Sequence, residues 1–195
     1  MPKRVDHDQR RKEIVEAAWR LIGRGGFEAA TMREIAAEAG FANGALKYYF
    51  SSKDDLLAAA FQHTFFRVNE RASHTIEGRT GTAAIRTLCL EMLPLDSERQ
   101  IESRVAVAFW DRAASSAPLR KIHRDSFAIW RKWIEDELET ARRNGEISSG
   151  LSDRAIVDTL FYIITGMRVL PTLEPGATRP EAQLEMLDSV LSRIA

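Results

Sequence analysis

Apolar residues recur in this chain at spacings of three and four almost from end to end, with no convincing strand-like alternation. That regularity restricts the fold to packed helices, because each apolar stripe needs another to bury it. In "RRKEIVEAAWRLIGRGG" the stripe is Ile14, Ala17, Ala18, Leu21 and Ile22, and Gly25-Gly26 stop the helix. "TMREIAAEAG" opens with Thr31 and Glu34 at capping-box spacing, turns Ile35, Ala36 and Ala39 inward, and ends at Gly40. The stretch "GFANGALKYYFSSK" at 40–53 holds a third short helix. "SSKDDLLAAAFQHTFFRV" then starts a long one, capped by Ser51 or Ser52, with Asp54 and Asp55 suited to its positive N-terminal end.

Beyond about residue 80 the helices lengthen. One spans 82–93 and ends at Pro94; another, 97–114, sets Ile101, Val105, Ala108, Phe109 and Arg112 on one face. The 118–144 helix turns Ile122, Ile129, Trp130, Trp133, Ile134 and Leu138 inward. "SDRAIVDTLFYIITGMRVL", 152–170, is apolar nearly all round, which predicts burial on both sides. The last helix shows a seam of Leu184, Leu187, Val190, Leu191 and Ile194. The expected fold is all-α: a small N-terminal domain over 1–53 and a larger helical one over 54–195.

Composition narrows the function. Of 195 residues, 45% are apolar and 29% charged, as in a soluble globular protein. The opening "MPKRVDHDQRRKE" lacks the apolar stretch of a signal peptide, and apolar runs such as "VAVAFW" fall far short of a membrane span. The single cysteine, Cys89, permits no intrachain disulfide and fits a core residue in a reducing cytoplasm. His63, His74 and His123 are scattered without metal-ligand spacing, and no nucleophile or phosphate-loop motif nominates an enzyme, so neither metal nor cofactor is expected. Net charge is zero, yet residues 1–53 hold ten Lys/Arg against seven Asp/Glu, which places any polyanion-binding surface there.

Two short helices joined at Gly40 and packed on a preceding one form a helix-turn-helix pattern. Successive side chains turn about 100° around a helix. With Leu46 and Phe50 inward, Gly44 and Tyr48 point away, Ala45 and Lys47 flank them, and Asn43 and Tyr49 sit at the rim. Small residues admit a close surface, Lys47 supplies a cation, and tyrosine hydroxyls bond phosphates or base edges, so this face suits a DNA major groove.

"TMREIAAEAGFANGALKYYFSSKDDLL" resembles the DNA-binding segment of the TetR family of bacterial transcriptional regulators. The pattern is carried by Thr31, Ile35-Ala36, Ala39-Gly40-Phe41, Gly44, Leu46, Tyr48 to Phe50 and Ser52 to Leu56. Three positions depart from it: Ala42 replaces a usual capping Ser or Thr, Lys47 a common tyrosine, and Tyr49 a frequent histidine. The resemblance implies that Thr31, Arg33 and Lys53 clasp backbone phosphates, which agrees with helix N-termini as anion sites.

It also implies a C-terminal region that dimerises through its last two long helices and encloses an effector pocket. Leu160, Ile164, Leu184, Leu187 and Leu191 are the expected interface, with a second copy of the chain and a near-palindromic DNA duplex as partners and no membrane involved. Residues 104–138 resemble the C-terminal domain of BetI-like members. There Phe109, Trp110, Phe127, Trp130 and Trp133 are the expected effector site, aromatic surroundings being usual for ligands and suited to a quaternary ammonium. The reading is a repressor released from its operator by a small molecule. The alternative is a DNA-binding regulator with no such effector, and a cavity among these aromatics separates the two.

Overall fold

The computed structural model describes residues 6–42, 44–176 and 178–194. Among these residues the fold comprises eight α-helices and one short 3₁₀ turn, with no strand. Helix α1 (His7–Ala29) is capped by Asp6, whose carboxylate accepts the Asp8 and Gln9 N–H groups, and it kinks at Gly26. Helix α2 (Met32–Glu38) starts in the expected capping box, with Thr31 and Glu34 each satisfying the other's backbone N–H. Then come the 3₁₀ turn Ala45–Tyr48 and α3 (Lys53–Thr75), capped by Ser52. Helices α4 (Gly81–Met92), α5 (Ser97–Ser115), α6 (Ala117–Arg143), α7 (Asp153–Leu173) and α8 (Pro180–Leu191) complete the chain.

Helix α5 is the keel. It packs along α1 and α3 on one side and α6 and α7 on the other. One apolar cluster joins α1, α2, the 3₁₀ turn and the start of α3 to Val105, Ala106, Phe109 and Leu119. The other joins the far end of α3 to α4, α6, α7 and α8. Helices α1 and α5 approach closely at Gly23 of α1, where a Cβ would stand 2.2 Å from Ile101 Cγ2. Beside it, Arg104 donates to the Gly23 carbonyl at 2.9 Å. Between the clusters lies an ionic knot: Arg71 of α3 grips the buried Glu102 through two bonds of 2.6 and 2.7 Å and donates to Glu91 at 3.0 Å.

Several expectations change in three dimensions. The third short helix is a single 3₁₀ turn entered through Gly44 in the left-handed region (φ 94). No side chain caps it, as Ala42 foreshadowed. Ile129, expected inward, is 57% exposed, because it precedes the buried line Trp130–Ile134–Leu138 by one residue, about 100° of helix. Helix α7 is long and apolar enough by composition to pass for a membrane span, and it is buried along one side only. Ile156, Leu160, Ile164 and Met167 face the core, while Tyr162, Leu170 and Leu173 are exposed. The residues expected at a dimer interface are largely enclosed within the protomer. Leu160, Ile164, Leu187 and Leu191 pack in the protomer's own second cluster and Leu184 is half-buried, so these residues fill the core because the apolar line of α8 meets α4 instead of solvent.

Candidate nucleic-acid interface and effector cleft

The helix-turn-helix places its side chains by a simple division. Leu46 and Phe50 are buried and anchor the turn, while Tyr48 is 89% exposed, with Lys47 and Gly44 also exposed. Ala45 is half-buried, and Asn43 lies outside the described residues. Tyr49 is half-buried: its ring meets Phe41 edge-on at 6.0 Å and His7 at 5.9 Å, so it packs the turn onto α1. Arg33 is exposed and makes no ion pair among the described residues. The Thr31 hydroxyl donates to Glu34 at 2.9 Å, and the bonds from Thr31 hold the Glu34 carboxyl below its ordinary pKa. That hydroxyl is thus committed to its own helix cap. Lys53 lies 4.1 Å over the Phe27 ring and donates to the Glu28 carbonyl at 3.5 Å.

Sequence reasoning missed two cations. Arg10 lies over Phe41 at 5.2 Å and Arg11 over Phe50 at 4.6 Å, so the first turns of α1 fence the turn with positive charge. Only the charge excess of the first 53 residues pointed to them. The reading head is also tied to the keel by Arg112 of α5, which grips Asp54 at the start of α3 with bonds of 3.1 and 2.8 Å.

The five aromatics expected around an effector separate into three groups. Phe109 is fully buried and stacks on Phe61 at 3.9 Å, a core contact that leaves no room for a ligand. Trp130 donates to Asn69 at 3.0 Å and shares a cleft of about 310 Å³ with Trp133, between α3, α4 and α6. Trp110 and Phe127 line a different cleft of about 530 Å³ between α5, α6 and α7. His123, Arg124, Arg131, Asp158, Phe161 and Tyr162 are among the other residues of its walls. Phe127 is the hub: His123 stacks on it at 4.1 Å and Phe161 meets it at 5.2 Å. Burial holds the His123 pKa below its ordinary value, so the ring is neutral at pH 7. The cleft's α7 residues escaped sequence reasoning because nothing local says which turn of α7 meets Phe127.

The bacterial regulatory proteins of the tetR family match at residues 14–60, and the BetI-type transcriptional repressor C-terminal domain matches at 81–195. The HTH-type transcriptional regulator PksA of Bacillus subtilis is 33% identical over 180 residues, covering 90% of this chain and 84% of its own. A transcriptional regulator from Rhodococcus superposes with a TM-score of 0.83 at 26% identity, over 94% of this chain and 95% of its own. A regulator from Saccharomonospora viridis, solved with choline, gives 0.86 at 21% identity, over 95% and 96%. Reading head, keel and cleft thus sit in a chain that belongs to the TetR family of bacterial transcriptional regulators, with a C-terminal part of the BetI type.

Proposed function

We propose that the chain works as a homodimeric repressor whose paired reading heads, built by residues 1–53, grip a near-palindromic operator. A small molecule in the α5–α7 cleft of the larger helical part releases them. The observation that carries the DNA reading is the division at 44–50, where buried Leu46 and Phe50 hold Lys47 and Tyr48 outward. Arg33 and Lys53 flank this face as phosphate contacts, joined by Arg10 and Arg11. Support for the effector reading comes from α5, which lends Trp110 to the cleft and Arg112 to the reading head two residues later.

A regulator without an effector is disfavoured by the cleft itself, whose volume lies in the roughly 300–1,000 Å³ range of ligand sites. Occupancy loosens DNA only if the ligand prefers the arrangement that cannot span both half-sites. The test uses a fluorescent duplex selected from a random pool. Lys47→Ala with Tyr48→Ala weakens anisotropy binding by at least about tenfold while the sizing profile stays unchanged, the loss expected for base-reading contacts. Lys53→Ala weakens all duplexes alike and lowers the salt slope by about one. Unchanged affinity in the double variant would remove this turn from the interface.

A further inference from the structure

We infer that the ligand of the α5–α7 cleft is an anion with a flat apolar body, an aromatic carboxylate; this rests on reading that cleft as the effector site. Rings alone would equally suit a quaternary ammonium. The sign of the cleft decides against one.

Two of the ring faces are already occupied by cations of the protein itself. The Arg131 guanidinium stands 5.5 Å over Phe161, and that of Arg168 stands 5.3 Å over Trp110. Among the described residues lining the cleft, Asp158 is the only carboxylate, and it is taken: Arg131 donates to it at 2.6 Å and Arg154 stands 3.8 Å away. An incoming cation would have to compete with both arginines for that one group. An incoming anion meets the opposite situation. Arg124 lines the cleft and makes no ion pair among the described residues. The Trp110 indole N–H is buried without an acceptor. Both of these groups are donors.

Arg168 strengthens the case from behind the wall. It is only 3% exposed, and its hydrogen bonds go to two neutral acceptors at 3.3 Å, the Ser103 hydroxyl and the Glu102 backbone carbonyl. The nearby Glu102 carboxylate is instead held by Arg71. Burial lowers the Arg168 pKa to about 10, the mark of a desolvated charge without a directly bonded carboxylate. A carboxylate held near Trp110 supplies that missing negative charge through a low-dielectric medium, where attraction is little screened. Arginine forks also match a carboxylate in two parallel bonds, which gives direction as well as charge.

The test is calorimetry with three ligands sharing one ring body: 2-naphthoate, neutral 2-naphthamide and a cationic naphthylmethyl-trimethylammonium. The expected order has naphthoate at least about tenfold tighter than either analogue, the scale of one charge-assisted contact. Arg124→Gln, at an exposed and unpaired site, removes most of that margin and leaves naphthamide unchanged. Asp158→Asn, which releases Arg131, tightens naphthoate several-fold. Ala128→Trp fills the cleft from an exposed position on α6 and abolishes binding of all three. If the ammonium binds tightest and Ala128→Trp still blocks it, the cleft is the effector site and the anion inference is overturned. If no ligand binds in a way that Ala128→Trp blocks, the effector site itself is overturned.

Discussion

His63 and His123 are both half-buried, and desolvation holds each pKa below its ordinary value of 6.5. The unfolded chain therefore binds these protons more readily than the folded one, and stability falls as pH drops below about 6.5, towards the lowered native values. Urea midpoints at pH 7.5 and 5.5 measure this. The expected loss is at most about 1 kcal/mol per histidine, allowing for the screening of half-buried groups, and His63→Gln with His123→Gln removes that share. Cys89 shows the same physics on a thiol: full burial pushes it up to about 12, so it behaves as an inert core residue. At this scale the sequence spoke clearly wherever the cause is local. The Thr31–Glu34 box and the inside-outside split of Leu46, Phe50 and Tyr48 follow from spacing alone. Phe109 and Trp110 could not be told apart, because neighbours on a helix buried from two sides both read as apolar.

Helix α5 carries the prediction at the level of elements. A Cβ on Gly23 would meet the Ile101 side chain at 2.2 Å from Cγ2 and 2.9 Å from Cβ, and a branched side chain offers no flexible end to retreat. Gly23→Ala therefore destabilises by about 1–3 kcal/mol, the usual cost of overpacking, read as a lower denaturation midpoint. Because it pries α1 from the keel, it also weakens effector control of DNA binding more than a mutation in α8 that lowers stability equally. The helices themselves were legible from apolar periodicity and from breakers such as Pro94 and Gly145, even though α4, α6 and α8 have no side-chain cap. What one chain's periodicity does not reveal is which of two apolar faces a helix buries. Helix α7 has Leu160 and Ile164 inside and Leu170 and Leu173 outside, and only packing distinguishes them.

At the scale of the whole molecule, that outward face is where we place the proposed dimer interface. Leu170 and Leu173 are 59% and 71% exposed, with Met186 of α8 at 41%, and such exposed apolar residues fit a self-complementary helix interface. Leu173→Glu should leave a folded monomer on a sizing column with weakened operator binding. Leu187→Glu should instead unfold the protomer, because Leu187 is completely enclosed and an unpaired carboxylate there costs several kcal/mol. A folded dimer retained by Leu173→Glu would move the interface elsewhere.

The two-residue separation of Trp110 and Arg112 on α5 has a consequence for sensing in the cell. A coupling carried by one shared helix is thermodynamically reciprocal, so whatever factor the ligand takes from operator affinity, the operator takes from ligand affinity. Protein already seated on DNA is then less sensitive to effector than protein free in solution. For a coupling of about 1–3 kcal/mol that gap is roughly 5- to 150-fold. The effector concentration that switches transcription thus depends on how many operators share the pool of protein, and adding operator copies on a plasmid shifts the dose–response curve without altering a single residue.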